Sequence, residues 1–169
     1  MGARRPLAPA TRLLQFDFNL ESCVKLRVQR HFPGMPLPAK AHASDAGFDL
    51  TAMAVEPLRP GVFAFDAGIS VQAEPGFYCE VVPRSSIVKT DFVQANSVGV
   101  IDPDYRGRIR VVLRYVGTAA DGGAAEARAL VGSRIAQLLV RRVEPVHVEA
   151  AESLEDTPRG AGGFGSTGS

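Results

Sequence analysis

Val24, Leu26 and Val28 alternate with Lys25, Arg27 and Gln29 in "VKLRVQR" (24–30). A period of two marks a strand with one buried face. Short apolar or alternating runs recur at 48–55, 62–65, 68–73, 77–82, 98–101, 108–116, 135–142 and 146–150, most of them separated by Gly, Pro, Asp or Ser. Short strands at close, regular spacing predict a sandwich or barrel. "FPGMPLPAK" (32–40) holds three prolines, which exclude a helix and predict an extended connector. The best helical stretch, "AAEARAL" (124–130), is worth one or two turns. The small, polar "GTAADGG" (117–123) before it reads as an exposed loop tip. No repeat and no linker divides the chain. The expectation is one all-β domain over residues 23–157, a flexible leader at 1–22 and a Gly-rich segment at 158–169.

Composition changes this picture little. The chain has 169 residues, 46% hydrophobic and 22% charged, with net charge +1. That suits one domain with a real core and supplies no global field for nucleic acid or membrane. Arg outnumbers Lys sixteen to three. Genome bias accounts for the total, and forked donors to phosphate account for a few. Cys23 and Cys79 are far apart and outside any CxxC, so two buried thiols in a reducing cytoplasm are expected. His31, His42 and His147 form no metal-ligand spacing. No run is long and apolar enough to span a bilayer. The basic leader lacks the apolar core of a signal peptide. Pro6 stands where myristoylation requires Ser or Thr, and Asp17 and Glu21 argue against a transit segment.

Five stretches carry candidate chemistry. In "SDAGFDL" (44–50), Asp45 and Asp49 flank Ala46-Gly47, which reads as a capped turn into a strand. "PRSSIVKT" (83–90) offers Arg84, Ser85 and Ser86 at a strand end, either a surface turn or an anion cradle. "GVIDPDYRG" (99–107) suggests a calcium loop, but Arg106 and Leu113 occupy two of the ligand positions. A hairpin reads better, with Val98–Ile101 leading in and "RIRVVLRYV" leading out. Arg106, Arg108, Arg110 and Arg114 share one strand parity, as a solvated or subunit-contact face. "GSRIAQLLV" (132–140) buries an amide, Gln137, whose partner is structural or a ligand; spacing does not separate the two. "RGAGGFGSTGS" (159–169) matches G-x-G-x-x-G, yet no strand and helix frame it. Arg159, Phe164, Ser166 and Thr167 are foreign to a plain linker. They suit a flap over a nucleotide, with donors for phosphates and a ring for the base.

In this order the five stretches resemble the five motifs of the trimeric dUTPases (deoxyuridine triphosphate nucleotidohydrolases), over roughly residues 24–168. The resemblance implies a distorted jelly-roll or barrel-like β subunit and a homotrimer with three shared active sites. It implies hydrolysis of dUTP to dUMP and pyrophosphate by water attack on the α-phosphorus. That reaction limits uracil in DNA and supplies dUMP for thymidylate synthesis. Mg2+ would be held by substrate oxygens and water, with no direct protein ligand. Asp102 matches the carboxylate that activates the water. Asp49 matches the first-motif aspartate, acting near the metal's waters or as support, and Gln137 matches the glutamine beside the phosphates. Arg84, Ser85 and Ser86 match phosphate contacts. Tyr105 matches the ring that packs on deoxyribose. Main-chain groups of Gly99, Val100 and Ile101, with Asn96 nearby, match the uracil-reading edge. Arg159, Phe164, Gly165, Ser166 and Thr167 match the closing flap.

Two departures stand out. Ser86 replaces a usual Gly, and Ser133 replaces an acid before Arg134, which predicts a lost local partner for that arginine. "RSS" also occurs in the sister dCTP deaminases. Those need a glutamate shuttle where Val112 stands, and no acid occurs from 105 to 120. A regulatory protein derived from a dUTPase would tolerate loss of Asp102, Tyr105 or the tail, and all are present.

Overall fold

Alternation along the chain becomes three antiparallel sheets in a computed structural model that describes residues 23–163. The strands are β1 (Leu26–Arg30), β2 (Phe48–Thr51), β3 (Ala54–Arg59), β4 (Val62–Asp66), β5 (Ile69–Ala73), β6 (Phe77–Pro83), β7 (Phe92–Gln94), β8 (Gly99–Ile101), β9 (Arg110–Tyr115) and β10 (Arg134–Arg142). A 3-10 turn, Ser85–Lys89, follows β6, and one short helix, α1 (Ala124–Ala129), precedes β10. β1 pairs with β5; the other sheets run β2-β10-β6-β8 and β3-β4-β9-β7.

Register decides what is buried. In the β2-β10-β6-β8 sheet, Leu50, Ala136, Leu138, Val81 and Cys79 face inward. Phe63, Phe65, Phe92, Val111 and Leu113 come to the same core from the other large sheet. Phe92 meets the Phe63 and Phe65 rings edge-on, with centroids 6.0 and 6.2 Å away. Such contacts add to simple area burial. Burial also pushes the Cys79 thiol up to about 11. At pH 8 roughly one thiol in a thousand is then ionised. A Cys23→Ser variant is therefore expected to take up no thiol reagent at pH 8 until denaturant is added. Stoichiometric labelling of the native protein would refute that.

Several expectations need correction. The run 48–55 is two strands. Ala52 N–H donates to Ser133 O at 2.9 Å, and Met53 N–H donates to Asp66 O at 2.8 Å. Adjacent residues thus bond to different sheets, and the chain changes sheet between them. β3 continues through Pro57 because it lies at a sheet edge, with a register shift there. β7, three residues long, is too short to show a period in the sequence. The run 146–150 forms no strand; Val146 and Val148 are 78% and 86% exposed. The 99–116 stretch is not a hairpin. β8 pairs with β6, while β9 pairs with β4 and β7, so residues 102–109 cross between sheets. The helical turn at α1 agrees with expectation. Asp121 accepts from Gly123 N–H and Ala125 N–H, and these bonds hold its carboxyl below the usual range.

Two of the four arginines in the row pair with carboxylates. Arg108 pairs with Asp66 at 2.8 Å and Arg110 with Glu56. Arg106 donates to the carbonyls of Pro103 and Tyr105. Among the described residues no helix is long and apolar enough to cross a membrane.

Candidate active site

The outward face of the β2-β10-β6-β8 sheet carries most candidate residues. Gln137 on β10 lies opposite Asp49 on β2 and Val82 on β6. Inward neighbours at Leu50, Ala136 and Val81 turn these three outward, because successive strand residues alternate faces. Asp49 is held firmly. Its Oδ1 accepts from Arg84 Nε at 2.7 Å and its Oδ2 from Arg134 at 2.8 Å, with the Asp49 side chain 13% exposed. Arg134 therefore has an acid after all, supplied by a strand 85 residues away in sequence. Charge-assisted bonds occupy both carboxylate oxygens of Asp49. The first of these bonds ties the Arg84 guanidinium to β2.

Gly47 matters through a neighbour and not through its own dihedrals. A Cβ there would stand 2.6 Å from Gln137 Oε1 and 2.9 Å from Gln137 Cβ. The glutamine lies directly over this glycine, so Gly47 fixes where its amide sits. Asp45 accepts from His42 N–H at 2.8 Å, which is the capped turn expected at the start of this motif. Pro83 ends β6, and Arg84 N–H still donates to Ile135 O. Ser85 and Ser86 then open the 3-10 turn, anchored below by buried Ile87. Both serines are exposed.

On the other side of β6, β8 closes the sheet as an edge strand. One side of its backbone, over Gly99, Val100 and Ile101, has no strand partner among the described residues. Asn96 and Ser97 make the turn into β8, with Ser97 at φ +57°. Beyond β8, Tyr105 N–H donates to Asp102 O at 3.1 Å and closes a turn. The Tyr105 ring folds back over Gly107, where any Cβ would overlap it, and its hydroxyl donates to Arg108 O at 3.2 Å. The ring is still 44% exposed. Asp102 is exposed, and its carboxylate has no hydrogen bond or ion pair among the described residues. The two candidate acids thus differ: Asp49 is saturated and Asp102 is open.

The face also holds Tyr78, Glu80 and Arg141. Tyr78 Oη donates to Glu80 Oε1 at 2.8 Å and Arg141 Nε to Glu80 Oε2 at 3.0 Å, which together hold the Glu80 carboxyl below the usual range. No group of three or more His, Cys, Asp or Glu side chains gathers to hold a metal among the described residues.

One chain does not bring the candidate residues together. Val81 faces Gly99 in an antiparallel ladder. Arg84 and Asp102 each lie three residues beyond that pair, in opposite directions. They stand about 20 Å apart along the strand direction. Asp49, Arg84, Ser85, Ser86 and Gln137 cluster at one end, and Asp102 and Tyr105 lie at the other. Arg159 is exposed and donates to Gly162 O at 3.1 Å. Phe164, Gly165, Ser166 and Thr167 lie outside the described residues.

Comparison with known proteins fits this geometry. Residues 34–168 match the sequence model of the dUTPase family. A deoxyuridine 5'-triphosphate nucleotidohydrolase of Solibacter usitatus is 42% identical over 149 residues, spanning 86% of this chain and 97% of the relative. One from Wolinella succinogenes is 37% identical, spanning 86% of this chain and 95% of its own length. Among solved structures, a Staphylococcus bacteriophage 80alpha dUTPase variant with dUpNHpp superposes with a TM-score of 0.70 at 21% identity, over 86% of this chain and 99% of that one. A matched core from residue 34 to 168 and relatives of this identity over nearly their whole length establish that the chain belongs to the dUTPase family.

Proposed function

We propose that this chain hydrolyses dUTP to dUMP and pyrophosphate, as a homotrimer of distorted jelly-roll subunits with shared active sites. The observation that carries the reading is the open carboxylate of Asp102, placed about 20 Å from the phosphate-binding cluster of the same chain. Hydrogen bonds reach about 3 Å, so a water on Asp102 and a phosphate on that chain's own Arg84 do not meet. A second copy that brings its Arg84 cluster against this Asp102 completes the site. The exposed apolar stretch with Val146, Val148 and Leu154 also fits a chain that is covered by its neighbours.

In that assembly each group has a defined task. Asp102 holds the attacking water and accepts its proton, the part an uncommitted carboxylate can play. The open edge of β8, with Asn96, meets the polar edge of uracil, and the sheet backbone behind it keeps it rigid. Tyr105 sits against deoxyribose. Arg84, held by Asp49, and the Ser85 and Ser86 hydroxyls receive phosphate oxygens, with Gln137 beside them. Arg159, Phe164, Gly165, Ser166 and Thr167 close over the nucleotide and exclude bulk water.

Mg2+ fits this donor set only through substrate. Both Asp49 oxygens are engaged by guanidinium groups, so Asp49 would touch the ion's waters and not the ion. When bound, the ion would neutralise charge on the triphosphate. Deamination of dCTP finds no shuttle here, since Val112 sits in β9 opposite Ala64, in a sheet separate from β8. The test is incubation with each deoxynucleoside triphosphate and Mg2+, scoring pyrophosphate and ammonia. Pyrophosphate from dUTP is expected. Its absence would refute the reading, and ammonia from dCTP would favour the deaminase.

A further inference from the structure

β7 ends in Gln94, whose side-chain amide is wedged between β6 and the turn into β8. Its Nε2 donates to the main-chain oxygen of Val81 at 2.9 Å and to Asn96 Oδ1 at 3.3 Å. A primary amide nitrogen carries two hydrogens, and these contacts use both. The polarity of this relay is set from the backbone. Val81 O can only accept, so the Gln94 NH2 group must face it. Gln94 Oε1 is then left buried without a hydrogen-bond partner among the described residues. A buried orphan of this kind is rare enough in folded proteins to need a reason.

The reason lies in Asn96. A side-chain amide has nearly the same shape either way round, so an isolated Asn presents oxygen or nitrogen with little preference. Against the NH2 group of Gln94, only the Asn96 oxygen can face inward. Its NH2 group is turned away, next to Gly99, where a Cβ would stand 3.5 Å from Asn96 Nδ2. Gly99 opens the edge strand β8, and Asn96 is exposed.

We propose that Gln94 is a positioning residue for base choice: it locks Asn96 as a hydrogen-bond donor toward the pyrimidine. This rests on the reading of β8 as the base-reading edge. Uracil carries a carbonyl acceptor where cytosine carries an amino donor. A fixed donor pairs with the first and opposes the second. An Asn96 free to turn over would serve both. Gln94 thus carries the fixed polarity of a backbone carbonyl outward to the site, and the orphaned oxygen is the cost of that orientation.

The experiment measures kcat/KM for dUTP and dCTP by pyrophosphate release from wild type, Gln94→Leu, Asn96→Ala and the double variant. Leu keeps the bulk and removes the relay. Gln94→Met carries the same expectation should Leu impair folding. The preference for dUTP over dCTP is expected to fall about tenfold in the Gln94 variant, through a higher KM for dUTP at nearly constant kcat. The double variant should be no less selective than Asn96→Ala alone, because the two residues act in series. An unchanged preference, an equal loss on both nucleotides, or additive losses would overturn the role of Gln94. A wild-type protein that releases no pyrophosphate from dUTP would overturn the hydrolase reading, and this one with it.

Discussion

Asp102→Asn is expected to lower kcat for dUTP by about 10³-fold while affinity for a non-hydrolysable dUTP analogue stays within about twofold. The substitution keeps the size of the side chain and removes its ability to take a proton. Nothing in the fold depends on the carboxylate, which has no partner among the described residues. The turn it opens is made by its main-chain oxygen, which accepts from Tyr105 N–H, and Asn suits that position as well as Asp does. The melting temperature should therefore not move. Single-turnover pyrophosphate release, calorimetric titration with the analogue and a thermal scan make three independent checks. Activity within about tenfold of wild type would remove Asp102 from the role of base.

Asp49 provides the contrast. It is also an acid on the site face, yet its oxygens already serve Arg84 and Arg134. Sequence alone could not divide the two roles, because the Arg134–Asp49 pair joins strands 85 residues apart. What was legible is the alternation. Strands with one face in the core, such as β6 and β9, repeat every two residues because each residue turns the next one over. The fully buried "VFAF" run of β4 was legible as an apolar stretch for the complementary reason. Pairing was not legible. Residues 99–116 look like a hairpin by composition, but the turn's chemistry is equally good for a crossing between sheets. Likewise 146–150 has strand-like alternation and no strand partner among the described residues. Periodicity reports a preference for burial, and it does not say whose surface does the burying. The sequence hides Gln94 for a related reason. A polar residue in "FVQAN" looks solvated, and only its bond to Val81 O shows that the amide points inward.

Truncation after Pro158 is expected to leave a folded protein with kcat reduced by about 10²-fold or more. Among the described residues, the last main-chain hydrogen bond between the sheets and this end of the chain is Val143 N–H to Gly76 O at 2.8 Å. From Arg141 to Ala161 every residue is exposed. None of the described side chains from Arg159 onward lies in the core, and the melting temperature is expected to be unchanged by the cut. The reach of the segment is large. Arg159 lies seventeen positions beyond Arg142, the end of β10, and an extended chain of that length spans about 55 Å. In the proposed trimer that is ample to cross from one subunit to the site of another. In the free chain Arg159 spends its Nε–H on Gly162 O, a local bond that a phosphate oxygen would outcompete, since it adds charge to the acceptor. The cut removes this guanidinium, the Phe164 ring and the hydroxyls of Ser166 and Thr167 together. It also removes whatever water exclusion they provide at the α-phosphorus. The loss should fall mainly on kcat, because the base edge at β8 and the Arg84 cluster remain to hold substrate. Full activity after truncation would show that the site closes without this segment. A lowered melting temperature would show that the segment stabilises the fold, and the flap assignment would then fail.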